Sequence, residues 1–97
     1  MIKIKLTQKQ YDELAYVSSL VDGDGKEVND FIKLEIVLGQ RFLALLTSDI
    51  DSMIGICDYY ISVAKENLSY GEKSSIGTIS LYNNVKKKLL VEKEASL

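Results

Sequence analysis

Phe31-Ile32-Lys33-Leu34-Glu35-Ile36-Val37-Leu38-Gly39-Gln40-Arg41-Phe42-Leu43-Ala44-Leu45-Leu46 decides the fold, because it can be read with either of two periods. Ile32, Leu34, Ile36 and Leu38 alternate as on a half-buried strand. Phe31, Leu34, Leu38, Phe42, Leu45 and Leu46 also fall on one helical stripe. The stretch from 28 to 46 is long and holds no proline, which favours a helix. Gly39 is then its weak point, at a cost of about 1 kcal/mol against alanine. The competing reading is a strand at 31–38 followed by a short helix.

Upstream, Met1-Ile2-Lys3-Ile4-Lys5-Leu6 has strict period two, the mark of a half-buried strand. Thr7-Gln8-Lys9-Gln10 fits a capping box, in which the Thr7 hydroxyl accepts from the Gln10 amide and the Gln10 side chain reaches back. A helix over about 8–20 follows, with Tyr11, Leu14, Ala15, Ser18 and Val21 at helical spacing. Asp22-Gly23-Asp24-Gly25 stops it, since both residue types tolerate positive φ.

Downstream, Thr47-Ser48 offers an N-cap, and Asp49 and Asp51 suit the first turn of a helix. Ile50, Met53, Ile54, Cys57, Ile61, Ala64 and Leu68 form one apolar stripe, and Ile56, Tyr59, Tyr60 and Val63 occupy the other side. Only Asp51, Ser52, Gly55, Asp58, Ser62 and Lys65 make a polar strip. A helix this apolar is buried nearly all round or meets a second subunit, so 48–68 reads as the central helix. Ser69–Gly77 reads as a loop. A last helix is expected from near Thr78, with Leu81, Val85 and Leu89 inward and fraying beyond about 93. The expected fold is mainly α: a small bundle of about four helices with a short N-terminal β-strand, forming a single helical domain over 1–97. The lone strand needs a partner, either part of 31–38 or its own copy across a dimer axis. An α+β fold with a strand at 31–38 is the alternative.

Composition bounds the function. Ninety-seven residues suit one small domain, with 46% hydrophobic and 27% charged residues. So short a chain buries only somewhat over about 60% of its unfolded surface, which leaves a thin stability margin, and a homodimer is expected on that ground. The net charge is −2, against the basic excess usual in duplex-binding proteins. The charge is segregated: residues 1–11 hold three lysines and no acid, 12–30 hold six acids against Lys26, and 73–97 hold five lysines against Glu92 and Glu94. One cysteine, no signal-peptide pattern and no long apolar run point to a cytoplasmic protein with no membrane association. Abundant Lys, Ile, Tyr and Asn beside a single arginine is the usage of AT-rich genomes.

Chemistry-bearing motifs are scarce. Asp22-Gly23-Asp24-Gly25-Lys26 is similar to the middle of an EF-hand loop. In that register, however, the first ligand falls on Leu20 and the bidentate acid on Phe31, so a plain polar turn is the better reading. Histidine is absent, which removes the usual general base and the commonest zinc ligand. Cys57 lies on an apolar stripe and reads as a small buried hydrophobe. Asp51 and Asp58 share a helix face about 10 Å apart along the axis, too far to share a proton. No catalytic, cofactor or metal site is expected, and no enzyme.

Two binding surfaces are candidates. Tyrosine is favoured at interfaces, so Tyr59, Tyr60, Ile56 and Val63 are the candidate protein contacts. Lys86, Lys87 and Lys88, in a helix opening with Ser74-Ser75-Ile76-Gly77-Thr78, are candidate nucleic-acid contacts. Successive residues lie about 100° apart, so the three lysines cannot form one stripe. The expected function is a non-enzymatic protein–protein interaction module or inhibitor, of the kind that phages and mobile elements direct at a host protein. A small nucleic-acid-binding regulator using the lysine-rich C-terminal helix is the alternative.

Overall fold

The computed structural model describes residues 1–96, so residue 97 of the expected 1–97 domain lies outside the described residues. Two compact units form, Met1–Asp49 and the chain from Ile50 onward. Among the described residues they hold three α-helices, which with one 3₁₀ turn account for 57% of the chain, and a three-stranded antiparallel sheet. The fold is therefore α+β, and the expected four-helix bundle with one strand is corrected.

In the first unit, β1 (Ile2–Leu6) leads into α1 (Gln8–Ser18), and β2 (Lys33–Val37) and β3 (Gln40–Leu45) follow. The capping box forms: Thr7 Oγ1 accepts from the Gln10 amide at 3.2 Å, and Gln10 Oε1 accepts from the Thr7 amide at 3.0 Å. These bonds satisfy two donors that the first turn would otherwise leave unpaired. Between α1 and β2, Asp22-Gly23-Asp24-Gly25-Lys26 is a turn tied by its own acid. Asp22 Oδ1 accepts from the amides of Asp24 and Lys26, and Gly25 takes the positive φ.

The stretch expected to be one helix is instead a hairpin. β2 and β3 pair antiparallel through a two-residue turn, Leu38-Gly39, in which both residues have positive φ, 51° and 78°. That is the signature of a type I′ turn, whose twist matches the flanking strands. The strand at 31–38 of the alternative reading is thus close to β2, but a strand and not a short helix follows it. Nor does β1 pair with that strand. It pairs with β3, from Ile2 opposite Leu45 to Leu6 opposite Arg41. The sheet order is β1-β3-β2.

The physical reason lies in the backbone. A helix over 28–46 would leave every amide and carbonyl of one edge of β1 unpaired, whereas the hairpin supplies a whole strand for it. The register also sorts the side chains. Ile4, Leu43 and Leu34 stand in one row and share a face with Ile2, Leu45, Leu6 and Ile36. The opposite face carries Lys3, Lys5, Lys33 and Glu35 on either side of Phe42 and buried Ala44, and Lys3 Nζ meets Glu35 at 2.9 Å across β3. α1 lies against all three strands and buries Gln10, Leu14 and Val17. Leu38 breaks two local preferences at once. It is a bulky residue in the left-handed region, a conformation costing about 1–2 kcal/mol, and its side chain is 99% exposed.

The first unit ends in a single 3₁₀ turn at Thr47–Asp49, and the second consists of α2 (Ile50–Ser69), a short loop and α3 (Ser75–Ala95). α3 begins three residues earlier than the Thr78 expected from the sequence and runs past 93, where fraying was expected. The glycines of the expected 69–77 loop have separate uses. Gly71, with φ 93°, ends α2, while Gly77 lies inside α3. The Gly71 amide donates to the Leu68 carbonyl and the Glu72 amide to the Asn67 carbonyl, a Schellman ending. Ile50, Met53, Cys57, Ile61 and Ala64 of α2 and Ser75, Tyr82, Val85 and Leu89 of α3 are buried. Leu81, expected inward, is only half-buried, and its neighbour Tyr82 takes the buried position. Among the described residues, no helix is long and apolar enough to cross a membrane.

Candidate functional site

α2 and α3 run antiparallel, which is visible in their ion pairs. Asp58 Oδ1 meets Lys86 Nζ at 2.6 Å, and Asp51 Oδ1 meets Lys93 Nζ at 2.7 Å. Seven residues separate the two acids and seven separate the two lysines, so each pair is one rung, two helical turns apart. Asp51, Asp58 and Lys93 are open to water and Lys86 is half-buried, and such solvent-reached pairs contribute about 0.2–1 kcal/mol each. Their effect is to fix the register of the two helices more than to stabilise them.

Beside the Asp58–Lys86 rung lies an aromatic ladder. The Tyr82 ring, fully buried, stacks on Tyr60 with centroids 5.1 Å apart and planes 13° apart. Tyr60 in turn meets Tyr59 edge-on, at 5.1 Å and 84°. The Tyr59 side chain is 63% exposed, whereas Ile56, Tyr60 and Val63 are half-buried. Positions 56, 59, 60 and 63 share one helix face at the i, i+3, i+4, i+7 spacing. The candidate protein contacts therefore form one continuous apolar strip on α2, with an exposed phenol held at its centre by rings that lead into the core. Tyr82 is the member that sequence reasoning missed. The apolar pattern of α3 is weak, and Leu81 fits the inward stripe equally well.

The candidate nucleic-acid contacts do not form a comparable surface. Lys86 is half-buried and bound to Asp58, Lys87 is exposed, and Lys88 is half-buried with interactions of its own. Among the described residues there is no helix-turn-helix either, since α2 and α3 lie side by side as an antiparallel hairpin.

Cys57 is fully buried and unbonded to another cysteine. Burial pushes its thiol up from an ordinary 9.0 to about 12. The Asp58 carboxylate adds to the rise, and the Lys86 ammonium partly opposes it. A thiol this reluctant to ionise is a poor nucleophile at neutral pH. Because its folded value lies above its unfolded one, its contribution to stability is complete below about pH 9 and is lost as pH rises toward 12. Labelling with a thiol reagent at pH 8 is therefore expected to be slow in the folded protein and fast in denaturant. Fast labelling without denaturant would contradict the buried placement. Among the described residues, no group of three or more acids or cysteines is placed to hold a metal ion.

The chain matches no protein-family model, no curated protein and no solved structure.

Proposed function

We propose that this chain is a non-enzymatic protein-interaction module, an accessory or inhibitory protein that docks a protein of another chain on the aromatic face of α2. The observation that carries the reading is the exposed Tyr59 ring, held edge-on by Tyr60 above buried Tyr82. Aromatic anchors of this kind bury large area with little side-chain entropy left to lose, and they dominate protein contacts where they occur. A ring already fixed in the free protein binds at lower entropic cost than a mobile one. Ile56 and Val63 flank it and would exclude water from the contact. The nucleic-acid alternative has less behind it, because Lys86 is engaged by Asp58 within the chain.

The test compares wild type with Tyr59→Glu as bait in cytoplasmic lysate. Losing an exposed edge-on ring costs the fold no more than about 1.5 kcal/mol, so circular dichroism should be unchanged. Loss of an anchor of about 2 kcal/mol would cut retention of a specific partner roughly thirty-fold. Equal retention of every bound protein by the two baits would refute the reading. Salt-sensitive shifting of duplex DNA by both would favour the alternative.

A further inference from the structure

β2 is an outer strand of its sheet, and the Leu38-Gly39 turn fixes which of its main-chain groups look outward. In a two-residue hairpin the pair flanking the loop exchanges both hydrogen bonds, and bonded pairs then recur at every second residue. Val37 and Gln40 are that flanking pair. Lys33, Glu35 and Val37 therefore turn their amides and carbonyls toward β3, whereas Leu34 and Ile36 turn theirs toward the open edge. Among the described residues no strand lies along that edge. Lys33 and Glu35 charge this edge, but apolar side chains beside them are open: Ile36 is 59% exposed, and Val37 and Leu38 are exposed as well. Unpaired edges of this kind are templates for another strand.

We infer that the strand which completes this edge is β2 of a second copy, paired antiparallel about a two-fold axis at Leu34. The charge pattern selects both the occupant and the register. Residues opposed across an antiparallel pair share a face. Leu34 and Ile36 lie on one face of β2 and Lys33, Glu35 and Val37 on the other. A two-fold axis at Lys33 or at Glu35 sets like charges directly against each other, which is destabilising. An axis at Ile36 puts Glu35 against Val37 and leaves the charges unmatched. An axis at Leu34 opposes Lys33 of each copy to Glu35 of the other, twice over. It also sets Leu34 against Leu34 and Ile36 against Ile32.

The main chain fits the same register. The two Leu34 residues exchange amide and carbonyl, and each Ile36 amide meets the Ile32 carbonyl of the other copy. The Ile32 amide itself is already bonded to the Asn29 carbonyl. Glu35 ends between two cations, its own Lys3 and Lys33 of the other copy. One positive and one negative residue placed symmetrically about Leu34 make the edge its own complement, as an isologous contact requires. The homodimer expected from the chain's small size is thus placed on a strand edge and not on α2.

Sedimentation velocity over rising concentration tests this. The wild-type mass should climb from 10.9 kDa toward about twice that value. Ile36→Pro removes an outward amide and no bond to β3, so it should stay monomeric with an unchanged circular dichroism spectrum. Lys33→Glu and Glu35→Lys should each be monomeric, because each opposes like charges twice. An equal mixture of these two variants should dimerise again, since every opposed pair is then Glu against Lys. A wild type that stays monomeric, a dimer that survives Ile36→Pro, or a mixture that fails to associate would each overturn the inference. So would a dimer abolished by Tyr59→Glu alone, which would move the contact to α2.

Discussion

Tyr82→Ala should destabilise the protein by about 3–5 kcal/mol, the range for emptying a buried aromatic site. The ring is fully buried and stacks on Tyr60, so its loss removes both its own buried area and the support under the ladder. A chain of this size has a total stability of about 5–15 kcal/mol, so this one change could consume most of it. The measurement is urea unfolding followed by far-UV circular dichroism, with near-UV circular dichroism as a second readout. The six tyrosines dominate that near-UV signal because tryptophan is absent. Tyr82→Phe keeps the ring and the stack and should cost far less than Tyr82→Ala. Equal losses from the two changes would mean that the buried ring is not what holds the ladder.

Leu43→Ala should cost about 3–5 kcal/mol, while Leu38→Ala should change stability by less than about 0.5 kcal/mol. Leu43 is fully buried on the central strand, between Ile4 and Leu34 in the register. Leu38 points into water at the tip of the hairpin. The helical stripe through Phe31, Leu34, Leu38, Phe42, Leu45 and Leu46 ranks these two residues the other way round, with Leu38 inward and Leu43 off the stripe. The pair of variants therefore distinguishes strand from helix in solution. A large loss from Leu38→Ala with little from Leu43→Ala would restore the helix.

The ambiguity of 31–46 has a physical origin. A hydrophobic run dense enough to fit period two also fits period 3.6, so periodicity alone cannot choose. The usual type I′ signal is Asn-Gly or Asp-Gly, and Leu38 in the first position hides the turn. Gly39 was legible as a weak point of a helix but not as a residue needing positive φ. The candidate site was half legible. Asp51 and Asp58, and likewise Lys86 and Lys93, could each be seen to share a helix face, but nothing local says that the two faces meet.

By itself the sequence determined what depends on neighbouring residues alone. It placed the capping box at Thr7 and Gln10, the period-two strand at Ile2–Leu6, the turn at Asp22–Lys26 and the long apolar helix carrying Cys57 and Tyr59. Each of these is settled by hydrogen bonds or side-chain spacing within a few residues. Tertiary structure decided the rest. Whether 31–46 became helix or hairpin turned on β1, some thirty residues away, which needed a strand to satisfy its backbone. Which side of α3 faced inward, and so whether Tyr82 or Leu81 was buried, turned on its packing against α2, where Tyr60 stacks on Tyr82. In both cases the local preferences differ by about 1 kcal/mol or less per residue. A partner distant in the chain then outweighs them, and no window of the sequence contains that partner.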